Sequence, residues 1–455
     1  MKKLTFGLVV ALLLTALVVP AAMAGPAYSS IQVLNLGAAD ADIFIYYYNQ
    51  DGTLATMDGG AANPYPDTVL VGQSNTYFPV HAADGFNGSV VIESTEEIAV
   101  ISNINYISPS VQSSWLGFKA GGPELVFPLI MKGNNSNDTT FNVQNTTDQP
   151  VNIDITFIAE PGAGYPAIAA VSDTLQPFAA QTYDQRTMAE FSGVAKWVGS
   201  AQVSVDGAGA IAGVAQQIDA LRNTGTAYNG FLGGSATVQV PLVMKENNNM
   251  WTSINCQNMG PGTTDVTVNY VPESGYPALA AESKTGVAEF GTAVFIQYGA
   301  PKWVGAATVS STGNDLACIV NQTNLVTFYA SAYEGFEGAV ASGNVVAPLV
   351  QFQDQGDSMH LWTSVNVKNL GGDGSTVTVD FKPAPGFADI ANMSKSIEAG
   401  AVGVFLFFDP YGNGTNAIGG AEISSDDGNL LAVVVNQQKL NFTGDVYSSY
   451  NGFAE

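Results

Sequence analysis

The chain is poor in cysteine, histidine and positive charge, and each scarcity removes a class of protein. Only 2 cysteines and 2 histidines occur among 455 residues, too few for a small disulfide scaffold or a Cys/His zinc cluster. His81 and His360 are far apart in the sequence and stand in different repeats, so no shared triad or metal site is expected of them. Lys and Arg total 14 against 39 Asp and Glu, a net charge of −25. Binding to phosphate backbones needs clustered cations, so no nucleic acid is expected as a partner. A strong negative charge instead keeps an exposed protein soluble or collects cations between molecules.

Catalytic signatures are missing as well. There is no Gly-x-Ser-x-Gly elbow, phosphate loop or His-Glu-x-x-His. The adjacent acids Glu96-Glu97 and Asp426-Asp427 point in different directions on a turn and do not form a glycosidase pair. No catalytic residue and no cofactor is expected, and the chain reads as non-enzymatic. Acidic loops such as Asp354-Gln355-Gly356-Asp357, Gly372-Asp373-Gly374 and Asp426-Asp427-Gly428-Asn429 carry oxygen ligands of the type calcium favours, without matching an EF-hand.

Long hydrophobic runs are confined to the start. Met1-Lys2-Lys3, an apolar run from Leu8 to Val19 and Ala22-Met23-Ala24 have the form of a secretory signal peptide over residues 1–24. The run is shorter than the roughly 20 residues of a spanning helix, and no transmembrane anchor is expected. The C-terminal Tyr450-Asn451-Gly452-Phe453-Ala454-Glu455 carries no sorting or lipidation motif. Cleavage after Ala24 removes two lysines and no acids, leaving 12 − 39 = −27. The expected location is secreted, extracellular or at the cell surface.

What the chain does have is a repeat. A strand ending in Asn occurs as Ile31-Gln32-Val33-Leu34-Asn35, Phe141-Asn142-Val143-Gln144-Asn145, Ile254-Asn255-Cys256-Gln257-Asn258 and Val365-Asn366-Val367-Lys368-Asn369, with spacings of 110, 113 and 111 residues. A second phrase follows in each copy, at Ala99–Asn103, Ala212–Gln216, Ala317–Asn321 and Ala432–Asn436. Each copy closes on an aromatic-x-Gly-Phe phrase beginning at Trp115, Tyr228, Tyr333 or Tyr450. The period is too long for a solenoid unit and matches one autonomous domain.

Between the anchors the sequence alternates, as in Val151, Ile153, Ile155 and Phe157, which places one face in a core. About seven such strands per copy, separated by Gly, Pro, Asn and Asp, predict an all-β chain of four tandem antiparallel β-sandwich domains. The expected boundaries are 25–122, 123–235, 236–342 and 343–455. A phrase Phe127-Pro128-Leu129 recurs at Val240-Pro241-Leu242 and Ala347-Pro348-Leu349 but has only three copies. Counting back places the fourth at Val18, inside the leader, so the first domain is expected to be short by one strand, with an open edge that favours self-association.

Cys256 and Cys318 fall on the two anchor strands of copy three, where the other copies carry mostly apolar residues. They form a candidate disulfide, in an export setting that permits oxidation. Trp197 and Trp303 occupy the same place in two copies, as do Tyr165 and Tyr276. These four are candidate ligand contacts for glycans, weighed against a packing role within the repeat.

On these repeats the chain resembles bacterial and archaeal cell-surface immunoglobulin-like proteins with adhesion-related tandem repeats. The resemblance implies immunoglobulin-like sandwiches, with Cys256 and Cys318 placed like an inter-sheet disulfide. It also implies a structural or adhesive role in a surface, sheath or matrix, with other surface components or further copies of the chain as partners.

Overall fold

The computed structural model describes residues 12–15, 27–107, 110–337, 342–354, 360–407, 416–440 and 444–454. Met1-Lys2-Lys3, Ala22-Met23-Ala24, Gln355-Gly356-Asp357 and the side chain of His360 lie outside the described residues. The described chain is all-β, built of antiparallel sheets. None of its helices is long and apolar enough to cross a membrane.

The stretch 123–235 shows how sequence becomes layer. The anchor strand Asn137–Asn145 lies between Ala180–Asp184 and Ile211–Asp219, and Thr224–Asn229 forms the far edge. A second sheet runs in the order Val171–Leu175, Val151–Ala159, Trp197–Asp206, Glu124–Lys132. Along Val151–Ala159 Val151, Ile153, Ile155 and Phe157 are buried while Asn152, Asp154 and Thr156 face out. Val143 and Tyr228 of the first sheet share one core with Ile153, Ile155 and Val203 of the second. The same strand order recurs along the chain. In copies three and four the two sheets merge into one of nine strands because the first hairpin of the copy stays paired, at Lys245↔Trp251 and Gln353↔Leu361.

In the full chain copy one also has a strand at this edge. Its edge is not open in the described chain: Leu12–Thr15, within the expected leader, pairs antiparallel with Gly88–Ser94, from Leu12↔Ile92 to Thr15↔Ser89. This is the place that Glu124–Lys132 takes beside Trp197–Asp206. An edge strand needs a free ladder and extended apolar residues rather than the Pro-Leu phrase itself, and Leu12-Leu13-Leu14 supplies them.

The anchor asparagines lock the turn between the sheets. Asn145 is fully buried and donates to the carbonyls of Gln149 (2.7 Å), Leu175 (3.2 Å) and Gln176 (3.0 Å), while its Oδ1 accepts from the Thr147 N–H (2.9 Å). Asn35, Asn258 and Asn369 repeat the pattern, each donating to the carbonyl four residues on. No apolar residue can satisfy these groups. Asn145→Ala is expected to cost about 2–3 kcal/mol, from stranded buried carbonyls, read as a lower unfolding midpoint in urea.

Cys256 and Cys318 are joined by a disulfide. They face each other in register on Met250–Asn258 and Leu316–Asn324, neighbouring strands of one sheet, so the bond does not bridge two sheets as the immunoglobulin comparison implied. The reason is topological: the two anchor strands of every copy are ladder partners, with Val33↔Val100, Val143↔Gly213 and Val367↔Val433 in the same register. Because valine fills both positions of this pair in copies one and four, the double change Cys256→Val and Cys318→Val is expected to fold. It should lose about 4 kcal/mol in the chain-entropy picture for a loop of 62 residues, which calorimetry on the full chain would register as a lower melting temperature.

Candidate functional site

Two features arise where copies meet. The first is an axis on which their closing strands converge. The residue after the aromatic in each closing phrase is Leu116, Asn229, Glu334 or Asn451. Asn229 exchanges hydrogen bonds with Leu116, its Oδ1 accepting the Leu116 N–H at 3.2 Å and its Nδ2 donating to the Leu116 carbonyl at 2.8 Å. The Asn229 N–H donates to the Glu334 carboxylate, and Asn451 Nδ2 donates to the Glu334 carbonyl at 2.8 Å.

Asp445 ties the axis further along. Its Oδ2 accepts the N–H groups of Gly225 and Ala330, both at 3.0 Å, and its carbonyl accepts the Gln112 N–H at 2.8 Å. One fully buried residue of the last copy therefore touches the other three. Burial pushes the Asp445 carboxyl well up, against three backbone N–H groups that hold it down. Burial likewise pushes the Glu334 carboxyl up to about 7.

Packing between copies runs all the way round. The core of copy one takes in Val214 and Ile218, that of copy two Ala317 and Ile319, that of copy three Val434 and Tyr447, and that of copy four Ile101. Outward residues of the anchor strands of copies one, three and four bond to a neighbouring copy. Gln257 Nε2 donates to Ser200 Oγ (2.9 Å), and Gln32 Nε2 donates to the Pro348 carbonyl (2.8 Å), joining first copy to last. Lys368 stands where copies two and three have Gln144 and Gln257. Its buried Nζ donates to Gln239 Oε1 (2.6 Å), the Ala307 carbonyl (2.7 Å) and Thr308 Oγ1 (2.7 Å). None of these acceptors is a carboxylate, and burial pushes the ammonium down to about 7.

The second feature is a pair of clefts at equivalent junctions. A cavity of about 670 Å³ separates copies two and three, and one of about 570 Å³ separates copies three and four. The floor of each is the outward row of an anchor strand, Trp251-Ser253-Asn255 in one and Trp362-Ser364-Asn366 in the other. Their walls hold Leu129, Met131, Glu160 and Tyr165 in the first, and Leu242, Met244, Glu273 and Tyr276 in the second.

The sequence-derived candidates separate here. Tyr165 and Tyr276 are half-buried and line the clefts. Trp197 and Trp303 have no exposed surface, and their indole N–H groups donate to the carbonyls of Pro166 (3.1 Å) and Pro277 (2.8 Å), pinning the Tyr-Pro loops. Neither indole offers a face to a ligand. His81 stacks on Tyr65, with ring centroids 3.9 Å apart. The acids of copy four are engaged locally: Asp426 and Asp427 accept from Ser375 Oγ at 3.0 and 2.7 Å, and Asn429 reaches Asp373. Among the described residues no group of three His, Cys, Asp or Glu side chains is placed to hold a metal ion.

Sequence reasoning passed over Trp251, Ser253 and Asn255. Their signal was present as the polar half of the anchor strand's alternation, recurring as Trp362, Ser364 and Asn366. The chain matches no protein-family model, and no curated protein matches its sequence.

Proposed function

We propose that this is a non-enzymatic exported protein serving as a structural or adhesive element of a cell surface, sheath or extracellular matrix. In this reading its four copies are immunoglobulin-like sandwich domains closed into a rigid ring. The observation that carries it is Asp445, whose side chain and carbonyl join all the copies at one buried axis. A closed ring presents its outer surfaces in fixed relative positions, as a repeating surface component requires.

Self-association would use the edge of Gly88–Ser94. In the full chain Leu12–Thr15 pairs with it, and removal of residues 1–24 frees that ladder for a strand from another molecule. The test is light scattering and negative-stain imaging of the full chain and of 25–455, each with and without calcium. Discrete polymers or sheets from 25–455 are expected. A single stable particle in every condition would refute assembly. A second reading, a secreted carbohydrate-binding protein, draws support from the paired clefts.

A further inference from the structure

We propose that the outward face of one sheet of copy one is a docking surface for a basic partner protein that presents an arginine- or lysine-bearing segment. This goes beyond the reading above, since it holds whether or not the chain assembles.

The strand Ala41–Asn49 buries Ala41, Ile43, Ile45 and Tyr47 and turns Asp42, Phe44, Tyr46 and Tyr48 outward. Phe44 is 41% exposed. Residues in register on neighbouring strands share a side of the sheet. Pro66 and Glu93 therefore flank Phe44, and Val91 lies beside Tyr46. The Tyr46 and Tyr48 rings are nearly parallel, 14° apart with centroids at 6.2 Å, and the Tyr46 hydroxyl donates to Glu93 Oε2 at 3.1 Å. Phe178 of copy two, with its ring 5.2 Å from that of Tyr48, closes one end of the row.

The repeat does not require these rings. At the places of Phe44 and Tyr46 the later copies carry Asp154 and Thr156, Thr267 and Asn269, and Thr378 and Asp380. Polar residues thus satisfy this face of the strand in three sandwiches, and the aromatic pair is an addition peculiar to copy one. Aromatic side chains set outward on a strand are the type of residue enriched where proteins meet.

Charge selects the occupant. From Gly25 to Phe118 there are nine Asp and Glu residues and no Lys or Arg. Asp42 and Glu93 stand exposed on the same face as the rings. An anionic ligand would meet only like charge there. A cationic side chain is drawn to the carboxylates and to the ring faces together, and a guanidinium also stacks flat on an aromatic plane. A second copy of this chain is a poor source of such groups, because Lys119, Arg186, Arg222 and Lys382 already hold carboxylates of their own. The partner is a different, basic protein.

The test is fluorescence anisotropy on the full chain with labelled deca-arginine, with deca-glutamate and cellohexaose as comparison probes. Deca-arginine is expected to bind, and to bind more weakly as salt is raised. The double variant Phe44→Thr, Tyr46→Asn carries the residues of copy three and leaves the charge unchanged. It should bind deca-arginine about tenfold more weakly, from the loss of two ring contacts, with its melting temperature kept. Glu93→Gln should weaken binding as well. A double variant that binds as the parent does would assign the binding to diffuse negative charge and overturn the proposal, as would no binding of deca-arginine at millimolar concentration. Cellohexaose that binds more tightly than deca-arginine and is lost in the double variant would give the rings to a saccharide. Dimerisation of the parent that the double variant abolishes would give them to a second copy, and either result overturns the proposal. If the double variant fails to fold, Phe44→Thr alone makes the same comparison. A chain that stays a single particle yet binds deca-arginine through these rings would refute assembly and leave this surface standing.

Discussion

Asp445→Ala is expected to cost 4 kcal/mol or more, the largest effect of any single substitution at the axis. Removing the carboxylate strands the N–H groups of Gly225 and Ala330 and weakens the hold on that of Tyr447, in a place from which water is excluded. Each unsatisfied buried donor costs about 1–3 kcal/mol, and the loss falls at a point shared by all copies. Denaturant unfolding followed by fluorescence should show an earlier transition. If the ring is one cooperative unit, the transition should also split as the copies separate. A shift of less than 1 kcal/mol, with one transition kept, would mean that Asp445 does not hold the axis together.

Stability should pass through a minimum near pH 7, with opposite slopes on its two sides. Glu334 has its folded pKa raised from 4.5 to about 7, so the folded chain binds more protons in that window. Its contribution is complete below pH 4.5 and is lost as pH rises through 7, a difference of at most about 3 kcal/mol, reduced by the surface that Glu334 keeps exposed. Asp445 acts in the same direction, because burial raises it too.

Lys368 works the other way. Its folded value is lowered from 10.5 to about 7, so between these values the unfolded chain binds the extra proton and stability rises with pH, by at most about 5 kcal/mol. The three acceptors around Nζ favour the ammonium and reduce that figure. Unfolding free energies from pH 4 to 10 should trace this valley. Glu334→Gln should flatten its acid limb, leaving the part due to Asp445. Lys368→Gln, the residue of copies two and three, should flatten its alkaline limb. A parent curve that is level across neutral pH would contradict both assignments.

Much of the layer structure was legible because alternation is a local property. Ile153 and Ile155 declare a buried face, and Gly and Asn clusters declare turns, without any knowledge of partners. The anchor asparagine was legible for a similar reason, since its bonds reach only to the next turn and an adjacent strand. The strand pairing of Cys256 with Cys318 was not, because spacing on two core strands is compatible with neighbours in one sheet or with facing sheets. The pairing of Leu12–Thr15 with Gly88–Ser94 in the full chain was not legible, because apolar residues at an N-terminus suit a signal and a sheet edge equally well.

The candidate site was the least legible part. Trp197 and Trp303 looked like loop aromatics, but whether an indole faces solvent depends on the loop that closes over it, here at Pro166 and Pro277. Trp251, Ser253 and Asn255 looked like a solvated strand face, and become a cleft floor only when copy two is laid across them.

By itself the sequence determined the all-β class, the period of about 110 residues and the inward face of each strand, because these follow from side-chain alternation and local turn chemistry. Tertiary structure alone decided which strands pair, how the last copy meets the first, and where polar groups end up buried. Lys368, Glu334 and Asp445 show the reason: nothing in their neighbours along the chain marks them as interior. Their burial and shifted protonation come from residues of other copies, about a hundred or more positions away in sequence for most contacts.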